Sequence, residues 1–544
     1  MKNEYNLLNR ELILGLNYQL EKREISIQIP DEKIFTLPEK ILVMGNNSLL
    51  RSTIDYFLDI MIKKGEYKGR VVHIDYENED IVDVFGKQDF LYTLCLRGLE
   101  EGIPLEKWEL ITSISRVIKV NNWDKVIDSF ISPNIEVLIC YHPNNDSILE
   151  PNDSIRNRPP KSYIGMILGI LYERYRRFKN KDSKLTIISL NPKFKGDLTL
   201  RDILLSVGKE WKLGEQFLSW LRLKNNFFDS LIDKMDIGDF DDKEKIIAFQ
   251  KLNYKDNFLT VTENYYKWII SSNKAATFPF QSTEIYLEYT DILDTFHSLN
   301  TWFNAVLISF VPLAYLSGYD TTSDALLDVI IQDFFEKFLF NTIKEFVNLS
   351  EDQIRSWEKI TINRLKNPFN KRSLIDMSEN LIQKFRKNFL FKMIDLYEKE
   401  KKLPDYIFFI LALILRFYNV IEENDGQFFG IREMHEINEN EIDNEDEQKE
   451  IEEKEGNLKN IYQIKDDINI LKEFANTWKN VKIDDPRSIK IFLGYILTQK
   501  NIWGMDLTLW PNLMERTGYY LEKLLKEDIG KITSELLLGI DEEK

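Results

Sequence analysis

Residues 40–76 read KILVMGNNSLLRSTIDYFLDIMIKKGEYKGRVVHIDY, and this stretch decides the fold of the first half of the chain. The run 40–45 is short and apolar and ends in glycine, as a buried strand often does. Apolar residues between 53 and 61 then recur at helical spacing, and the Val- and Ile-rich run 70–76 has the composition of a second buried strand. The stretch therefore predicts a strand–helix–strand unit.

The same alternation continues further along the chain. The pattern predicts strands at 109–117, 135–141 and 184–190, with a helix at 162–179 between the last two. Strands separated by helices imply a parallel, doubly wound sheet. We therefore predict an α/β domain over residues 1–263.

The character of the sequence changes from residue 264. Long aromatic and aliphatic segments such as 406–418 (YIFFILALILRFY) predict a mainly α-helical domain over 264–544. Residues 433–455 hold twelve acids against two lysines, and we interpret about 433–457 as an acidic insertion between helices. A solvated loop is the simplest interpretation. A contact with a basic protein partner or a cation is the alternative, although the turn glycine and ligand spacing of a calcium loop are missing.

Composition excludes several classes of protein. The hydrophobic fraction of 43% is that of a globular chain, and the net charge of −17 argues against binding nucleic acid or an anionic membrane surface. Cys95 and Cys140 are too few for a disulfide scaffold or a zinc site. The longest apolar run, 406–415, is about half a bilayer span, and no signal peptide is evident. We expect a cytoplasmic protein.

The turn after the first predicted strand is a candidate dinucleotide site. Such turns bring a pyrophosphate to a helix N-terminus through closely spaced glycines. Here the turn runs from Gly45 to Arg51, and Asn47 replaces the second glycine; its backbone could be left-handed, with its side chain where the phosphates would sit. Asp75 ends the second predicted strand, where an acid contacts the ribose in NAD enzymes. A purely structural strand–helix–strand unit with a solvated Asp75 is the open alternative.

The histidines predict no metal site. His73, His142, His297 and His435 are scattered and show no metal-ligand spacing. We interpret them as structural or exposed residues and expect no bound metal.

Several segments together resemble the tagaturonate reductase (altronate oxidoreductase) branch of the mannitol dehydrogenase family, the polyol-specific long-chain dehydrogenases. They keep their order and spacing over most of the chain. They are 45–56 (GNNSLLRSTIDY), 90–116, 171–178 (LYERYRRF), 226–233 (NFFDSLID), 254–270, 311–320 (VPLAYLSGYD), 367–374 (NPFNKRSL) and 506–513 (DLTLWPNL). The resemblance implies a Rossmann-like NAD domain over 1–263, a helical dehydrogenase-type domain over 264–544, and an active site in the cleft between them. It also implies NAD as cofactor, with Gly45, Asn47, Arg51 and Asp75 as the matching cofactor-binding positions.

The catalytic positions of the family are only partly kept. Its Lys-x-x-x-x-Asn-Gly-Ala-His stretch falls on Leu299 to Leu307, so Asn304 alone survives as a catalytic candidate. Leucine has no titratable proton, so Leu299 and Leu307 cannot serve as general acid or base. His297 lies about 200° around the helix from Leu299 and is a poor substitute. The cofactor loops also differ, with Cys140 to Asp146 and Leu190-Asn191 in place of the family's residues.

Two hypotheses of function follow. The favoured one is a non-catalytic relative of tagaturonate reductase that binds a sugar acid, a nucleotide or a protein partner. The alternative is an active NAD-dependent oxidoreductase acting on a hexuronate pair such as tagaturonate and altronate. They differ in whether a Lys, His or Tyr from elsewhere in the fold takes over the proton transfer.

Overall fold

The structure is a computed structural model of the whole chain. It describes residues 5–20, 27–77, 79–100, 102–142, 149–178, 184–191, 198–271, 277–282, 287–291, 293–370, 372–390, 393, 397, 401–432 and 461–542. The chain folds as two compact units, Met1–His297 and Ser298–Lys544. The predicted acidic insertion, about 433–457, lies outside the described residues.

The N-terminal unit is built on a sheet that has eight strands in the described part of the chain. Their order is β11-β10-β8-β7-β6-β1-β2-β5, and every neighbouring pair is parallel except β8 with β10. These strands are β1 (Glu39–Met44), β2 (Arg70–Asp75), β5 (Ile114–Lys119), β6 (Val137–Cys140), β7 (Thr186–Ser189), β8 (Asn226–Asp233), β10 (Lys267–Ser271) and β11 (Leu287–Thr290). The predicted Rossmann-like, mostly parallel sheet is confirmed.

Helices cover both faces of this sheet because alternate strand residues point to opposite sides. Leu42 and Met44 of β1 join one core cluster, whereas Ile41 and Val43 join the other. The helices of the unit are α1 (Arg10–Leu20), α2 (Ser48–Leu50), α3 (Tyr56–Lys63), α4 (Glu79–Gly86), α5 (Trp123–Phe130), α6 (Tyr163–Phe178), α7 (Leu200–Glu210), α8 (Glu215–Lys224) and α9 (Asp242–Leu252). A π-helical turn, Arg51–Asp55, joins α2 to α3 and makes them one continuous helical segment.

The strand predicted at 109–117 is really two strands. It contains the end of β4 (Ile103–Ile111) and the start of β5, which belong to different sheets. β4 pairs with β3 (Tyr92–Glu100), and β3 pairs with β9 (Thr260–Glu263), in a separate three-stranded sheet. The chain changes sheets at 112–113, where Asp59 accepts hydrogen bonds from the Thr112 amide at 2.6 Å and from the Thr112 hydroxyl at 2.8 Å.

The boundary between the two compact units falls between His297 and Ser298, further along the chain than the predicted division at 263/264. β10 and β11 follow that position and extend the main sheet, because β10 pairs with β8 and β11 pairs with β10. The residues up to His297 therefore cluster with the N-terminal unit.

The C-terminal unit is mainly helical, as predicted. Its helices are α10 (Leu293–Leu316, which begins in the first unit), α11 (Thr322–Ala325), α12 (Val329–Phe346), α13 (Glu351–Leu365), α14 (Leu374–Met377), α15 (Leu381–Phe385), α16 (Asp405–Phe417), α17 (Ile468–Trp478), α18 (Pro486–Ile496), α19 (Lys500–Trp503), α20 (Leu513–Leu524) and α21 (Ile529–Glu542). A small antiparallel sheet that the sequence did not predict contains β12 (Val420–Asn424), β13 (Gln427–Ile431) and β14 (Ile461–Ile464).

Two helices, α10 and α16, are strongly apolar. Every residue of α16 from 406 to 417 is buried in the protein core. Among the described residues, α10 is the one helix long and apolar enough to cross a bilayer, and 78% of its most apolar window is buried in the structure. Both helices therefore have the burial of core helices in a globular protein.

We predict that Asp59 is essential to the junction at 112–113. Its carboxylate also pairs with Lys63 at 2.7 Å, and both side chains are almost fully buried. Asp59→Ala leaves a buried ammonium without its acid and should lower the free energy of unfolding by about 3–5 kcal/mol. Urea denaturation monitored by tryptophan fluorescence measures this loss.

The matched control for Asp59→Ala is Glu136→Ala. Glu136 pairs with Lys40 at 2.8 Å, but its side chain is 55% exposed. Its removal should cost less than about 1 kcal/mol. Equal losses in the two variants would contradict the role assigned to Asp59.

Candidate functional site

The turn after β1 lies at the switch point of the main sheet. The strands β2 and β5 lie on one side of β1, whereas β6 and β7 lie on the other. Open α/β sheets bind ligands outside the carboxyl ends of their strands at such a point. The turn that begins at Gly45 is therefore the candidate site that the fold itself singles out.

Gly45 has a backbone that only glycine adopts readily. Its φ is +127°, and its amide donates to the Ile74 carbonyl at 2.9 Å. A Cβ at this position would lie 2.9 Å from the Leu50 side chain and 3.8 Å from both the Tyr76 ring and the Tyr141 carbonyl. This backbone explains why a glycine stands at position 45, and the space beside Gly45 is filled by the chain's own residues.

A buried histidine fixes this turn. His73 of β2 is fully buried; its Nδ1 lies 2.6 Å from the Gly45 carbonyl, and its Nε2 lies 2.8 Å from the Asp55 carboxylate. Both partners are acceptors, so both ring nitrogens donate when the two bonds are made. Burial alone would lower the pKa of His73, but Asp55 and the Gly45 carbonyl together raise it above its ordinary value.

Asn47 does not adopt the left-handed backbone considered from the sequence. Its φ of −98° and ψ of 173° are extended, and its Oδ1 accepts from the Leu50 amide at 3.1 Å. Asn47 is therefore the N-cap of α2. Its side chain occupies an amide at the helix N-terminus, where a bound phosphate would otherwise accept hydrogen bonds.

Asp75 lies at the end of β2, as predicted, and is buried with an exposed fraction of 3%. Its Oδ2 accepts from Asn46 Nδ2 at 3.0 Å, and its Oδ1 accepts from the Glu77 amide at 3.0 Å. The carboxylate thus ties the turn after β1 to the end of β2. The alternative of a solvated strand-end acid is wrong, because Asp75 is buried.

The Arg51 side chain also contacts the turn after β1. Its Nη1 donates to the Asn46 carbonyl at 3.0 Å, and its guanidinium lies 5.6 Å from the centre of the Phe258 ring. Burial lowers the pKa of Arg51. Its Nε is buried without a hydrogen-bond partner in the described part of the chain. The positive charge is thus near the turn but is directed at a backbone carbonyl.

Aromatic rings fill the space at the ends of β2 and β6. The rings of Tyr76 and His142 are nearly parallel with centres 5.9 Å apart, and His142 is 4.8 Å from the Tyr163 ring. The Tyr76 hydroxyl donates to the Tyr141 carbonyl at 3.2 Å. Asn191, after β7, exchanges two hydrogen bonds of 3.0 Å with the backbone of His142. The rest of the predicted loops, 143–148 and 192–197, lies outside the described residues.

The catalytic positions inferred from the resemblance lie on α10. Leu299 and Leu307 are buried, with exposed fractions of 1% and 6%, whereas Asn304 is exposed. The neighbouring Trp302 stacks on Phe346 of α12 with ring centres 3.9 Å apart. The two leucines therefore contribute to the packing of the helix and supply no group that carries a proton.

The doubly wound sheet and the helical unit that follows it match the architecture that the resemblance to two-domain dehydrogenases implies. The sequence profile of the mannitol dehydrogenase Rossmann domain matches residues 39–281, and that of the mannitol dehydrogenase C-terminal domain matches residues 302–482. The chain belongs to the mannitol dehydrogenase family.

Curated relatives extend the match to most of the chain. The altronate oxidoreductase of Halalkalibacterium halodurans is 26% identical over 92% of this chain and 94% of the relative. That of Yersinia enterocolitica is 25% identical over 90% of this chain and 95% of the relative. The resemblance to altronate oxidoreductases is therefore confirmed over both domains.

Solved structures share the fold at low identity. The mannitol 2-dehydrogenase of Pseudomonas fluorescens, solved with NAD and D-mannitol, matches with a TM-score of 0.64 and 14% identity over 99% of this chain and 100% of its own. A D-sorbitol dehydrogenase in substrate-free form matches with a TM-score of 0.68 and 13% identity over 96% of this chain and 99% of its own.

The described residues of the turn do not fit a dinucleotide held in the manner of a glycine-rich loop. The Leu50 amide is bonded to Asn47, the space at Gly45 is filled by Leu50, and both oxygens of Asp75 accept hydrogen bonds from the chain. A bound pyrophosphate and ribose would have to displace these contacts. No step of a reaction is therefore assigned to a cofactor at this turn.

We predict that Gly45→Ala destabilises the N-terminal unit. The positive φ and the contact with Leu50 should together lower the free energy of unfolding by about 1–3 kcal/mol. The control is Gly15→Ala in α1, where a Cβ meets no atom within 4 Å. This control should leave stability unchanged or raise it by about 0.5–1 kcal/mol. Urea denaturation of both variants measures the difference. A Gly45→Ala variant with the same free energy of unfolding as wild type would contradict the geometry of the turn.

We predict a pH dependence of stability that comes from His73. The pKa of His73 is raised in the folded protein, so its contribution is fully present below the unfolded pKa of about 6.5. This contribution is lost as the pH rises through the folded pKa. The unfolding free energy of wild type relative to His73→Gln should therefore fall as the pH increases above about 6.5. A difference that does not vary with pH would contradict the assignment.

Proposed function

We propose that this chain is an altronate oxidoreductase-like protein of the mannitol dehydrogenase family that has lost hydride transfer or retains it only weakly. It acts instead as a cytoplasmic binding or interaction protein. The burial of Leu299 and Leu307 in α10, at the positions where the family resemblance has lysine and histidine, carries this proposal.

The chemistry of proton transfer supports the proposal. Oxidation of a secondary alcohol needs a group that accepts the hydroxyl proton, and reduction of the ketone needs a group that returns it. Loss of such a positioned group usually costs about 10²- to 10⁴-fold in rate. The side chain of Asn304 donates and accepts hydrogen bonds but does not titrate, so it can orient an oxygen without replacing the missing base.

The turn after β1 supports the same proposal independently. Its polar groups are bonded to each other: Asn46 to Asp75, Asn47 to the Leu50 amide, and Arg51 to the Asn46 carbonyl. We therefore expect NAD(H) to bind weakly or not at all, because each of these bonds must be broken for the cofactor to replace it.

The alternative is an active NAD-dependent oxidoreductase acting on a hexuronate such as altronate or tagaturonate. The observation in its favour is the match to altronate oxidoreductases, which covers 90–92% of this chain and includes both domains. A sugar acid therefore remains the proposed ligand class under both hypotheses, with a nucleotide or a protein partner of the acidic segment as further possibilities.

The first experiment measures cofactor binding and turnover on the same protein preparation. Calorimetric titration with NADH should give no saturable heat at millimolar cofactor, and absorbance at 340 nm should show no altronate-dependent reduction of NAD⁺. An altronate oxidoreductase from one of the curated relatives, assayed in parallel, serves as the positive control. Saturable NADH binding together with turnover would establish the alternative.

A double variant tests the missing groups directly. Leu299→Lys with Leu307→His should restore measurable turnover if the remaining residues still admit cofactor and substrate. The control is Leu299→Met with Leu307→Met, which keeps the apolar volume and supplies no proton carrier. Thermal melting checks that both variants fold. Activity in the methionine control would show that proton transfer does not depend on these two positions.

A further inference from the structure

A cavity lies wholly within the C-terminal unit. Its volume is about 640 Å³, within the range of small-molecule sites. It is bordered by the end of α10, the start of α12, the ends of α16 and β13, and the first turn of α21. Leu316, which lines it, is 17 residues beyond Leu299, or about 25 Å along α10. The cavity is therefore separate from the positions discussed for hydride transfer.

Arg416 lines this cavity and is buried, with an exposed fraction of 2%. Its Nη1 donates to the Ile431 carbonyl at 2.9 Å, and its Nη2 donates to the Arg432 carbonyl at 3.4 Å. No carboxylate in the described part of the chain lies within ion-pair distance of Arg416. Burial of a cation without an acid is costly, and carbonyl dipoles compensate for that cost only in part.

A further polar group of the cavity points to the same chemistry. The Ser317 hydroxyl is buried and has no hydrogen-bond partner among the described residues. The first turn of α21 also lines the cavity, but Asp528 caps that helix by accepting from the Lys531 amide. A buried guanidinium beside an unused hydroxyl suits an oxyanion.

The acidic residues of the cavity already have partners. Asp328 accepts hydrogen bonds from the Tyr319 hydroxyl at 2.8 Å and from the first amides of α12. Glu527 pairs with Lys531 at 2.8 Å, and Asp528 accepts from the Lys531 amide at 2.8 Å. None of the ion pairs among the described residues joins one of these three carboxylates to Arg416.

We propose that this cavity binds a small metabolite through an oxyanion group, a phosphate or a carboxylate, that pairs with Arg416 and accepts from the Ser317 hydroxyl. The proposal does not depend on whether the protein transfers hydride. Arg432 also lines the cavity, but it pairs with Asp320 at 2.9 Å and donates to the Tyr315 carbonyl at 2.6 Å, so its charge already has an acid partner.

The test is calorimetric titration of the full-length protein with two probes, inorganic phosphate and gluconate, with potassium chloride adjusted to hold the ionic strength constant. Wild type should bind at least one probe saturably, and the stronger probe identifies the oxyanion. Arg416→Met should weaken that binding by about 10- to 100-fold, because it removes a charge-assisted hydrogen bond. Arg416→Lys keeps the charge but not the planar guanidinium, so its affinity for the probe should lie between those of wild type and Arg416→Met.

Further variants keep the test valid if Arg416→Met fails to fold. Ser317→Ala should weaken binding by about 3- to 10-fold, because it removes one hydrogen bond to the anion. Arg487→Gln, which removes a cation outside the cavity, is the control and should bind as wild type does. The proposal is overturned if neither probe binds saturably to wild type, or if Arg416→Met and Ser317→Ala both bind with wild-type affinity.

Discussion

The pair of hydrogen bonds made by the His73 ring is the constraint on which the N-terminal unit depends. One bond reaches the Gly45 carbonyl, where β1 ends, and the other reaches Asp55 in the helical segment that follows. A single buried ring thus joins β2, the turn and the helix in the interior, where water does not compete for its partners. The His73 ring and the bond from the Gly45 amide to the Ile74 carbonyl together fix the position of Gly45.

The same region shows how hydrogen bonds within the chain involve groups that a dinucleotide would use in related folds. Such folds bind a pyrophosphate at the amides of this turn and a ribose at the strand-end acid. Here Asn46 donates to Asp75, and Asn47 accepts from the Leu50 amide. In α10, Leu299 and Leu307 are buried at positions where the family resemblance implies a proton carrier. Because function depends on the residues of a site more than on the fold, these two places carry the proposed function.

Local patterns in the sequence predicted those strands and helices in which apolar residues form a continuous run or recur at a regular spacing. The structure has β1 at the run 40–45 and β2 at the run 70–76, and α2 and α3 form the helical segment between them. These elements could be predicted because apolar composition and spacing act over a few residues. The position of Asp75 at a strand end followed from the same reasoning. The capping role of Asn47 also had a local signal, since asparagine before an apolar helical run is a favoured N-cap.

Other features depend on residues that are distant in sequence, and no short pattern contains them. The buried Thr112 and Ser113 interrupt what looked like one strand, because Asp59, more than fifty residues earlier, bonds to the chain there. β11 joins the main sheet through β10, which itself pairs with β8 more than thirty residues earlier in the chain. The partners of His73, and the lack of an acid beside Arg416 among the described residues, likewise appear only once the chain is folded.

The small sheet of the C-terminal unit has a consequence for how the acidic segment relates to the rest of the chain. Ile431 at the end of β13 pairs directly with Ile461 at the start of β14, so the residues that flank 433–460 are neighbours across a ladder. Closing a loop whose ends are already fixed together costs little more for a long loop than for a short one. A change in the number of residues between Arg432 and Ile461 should therefore cost little free energy as long as β13 and β14 keep their pairing.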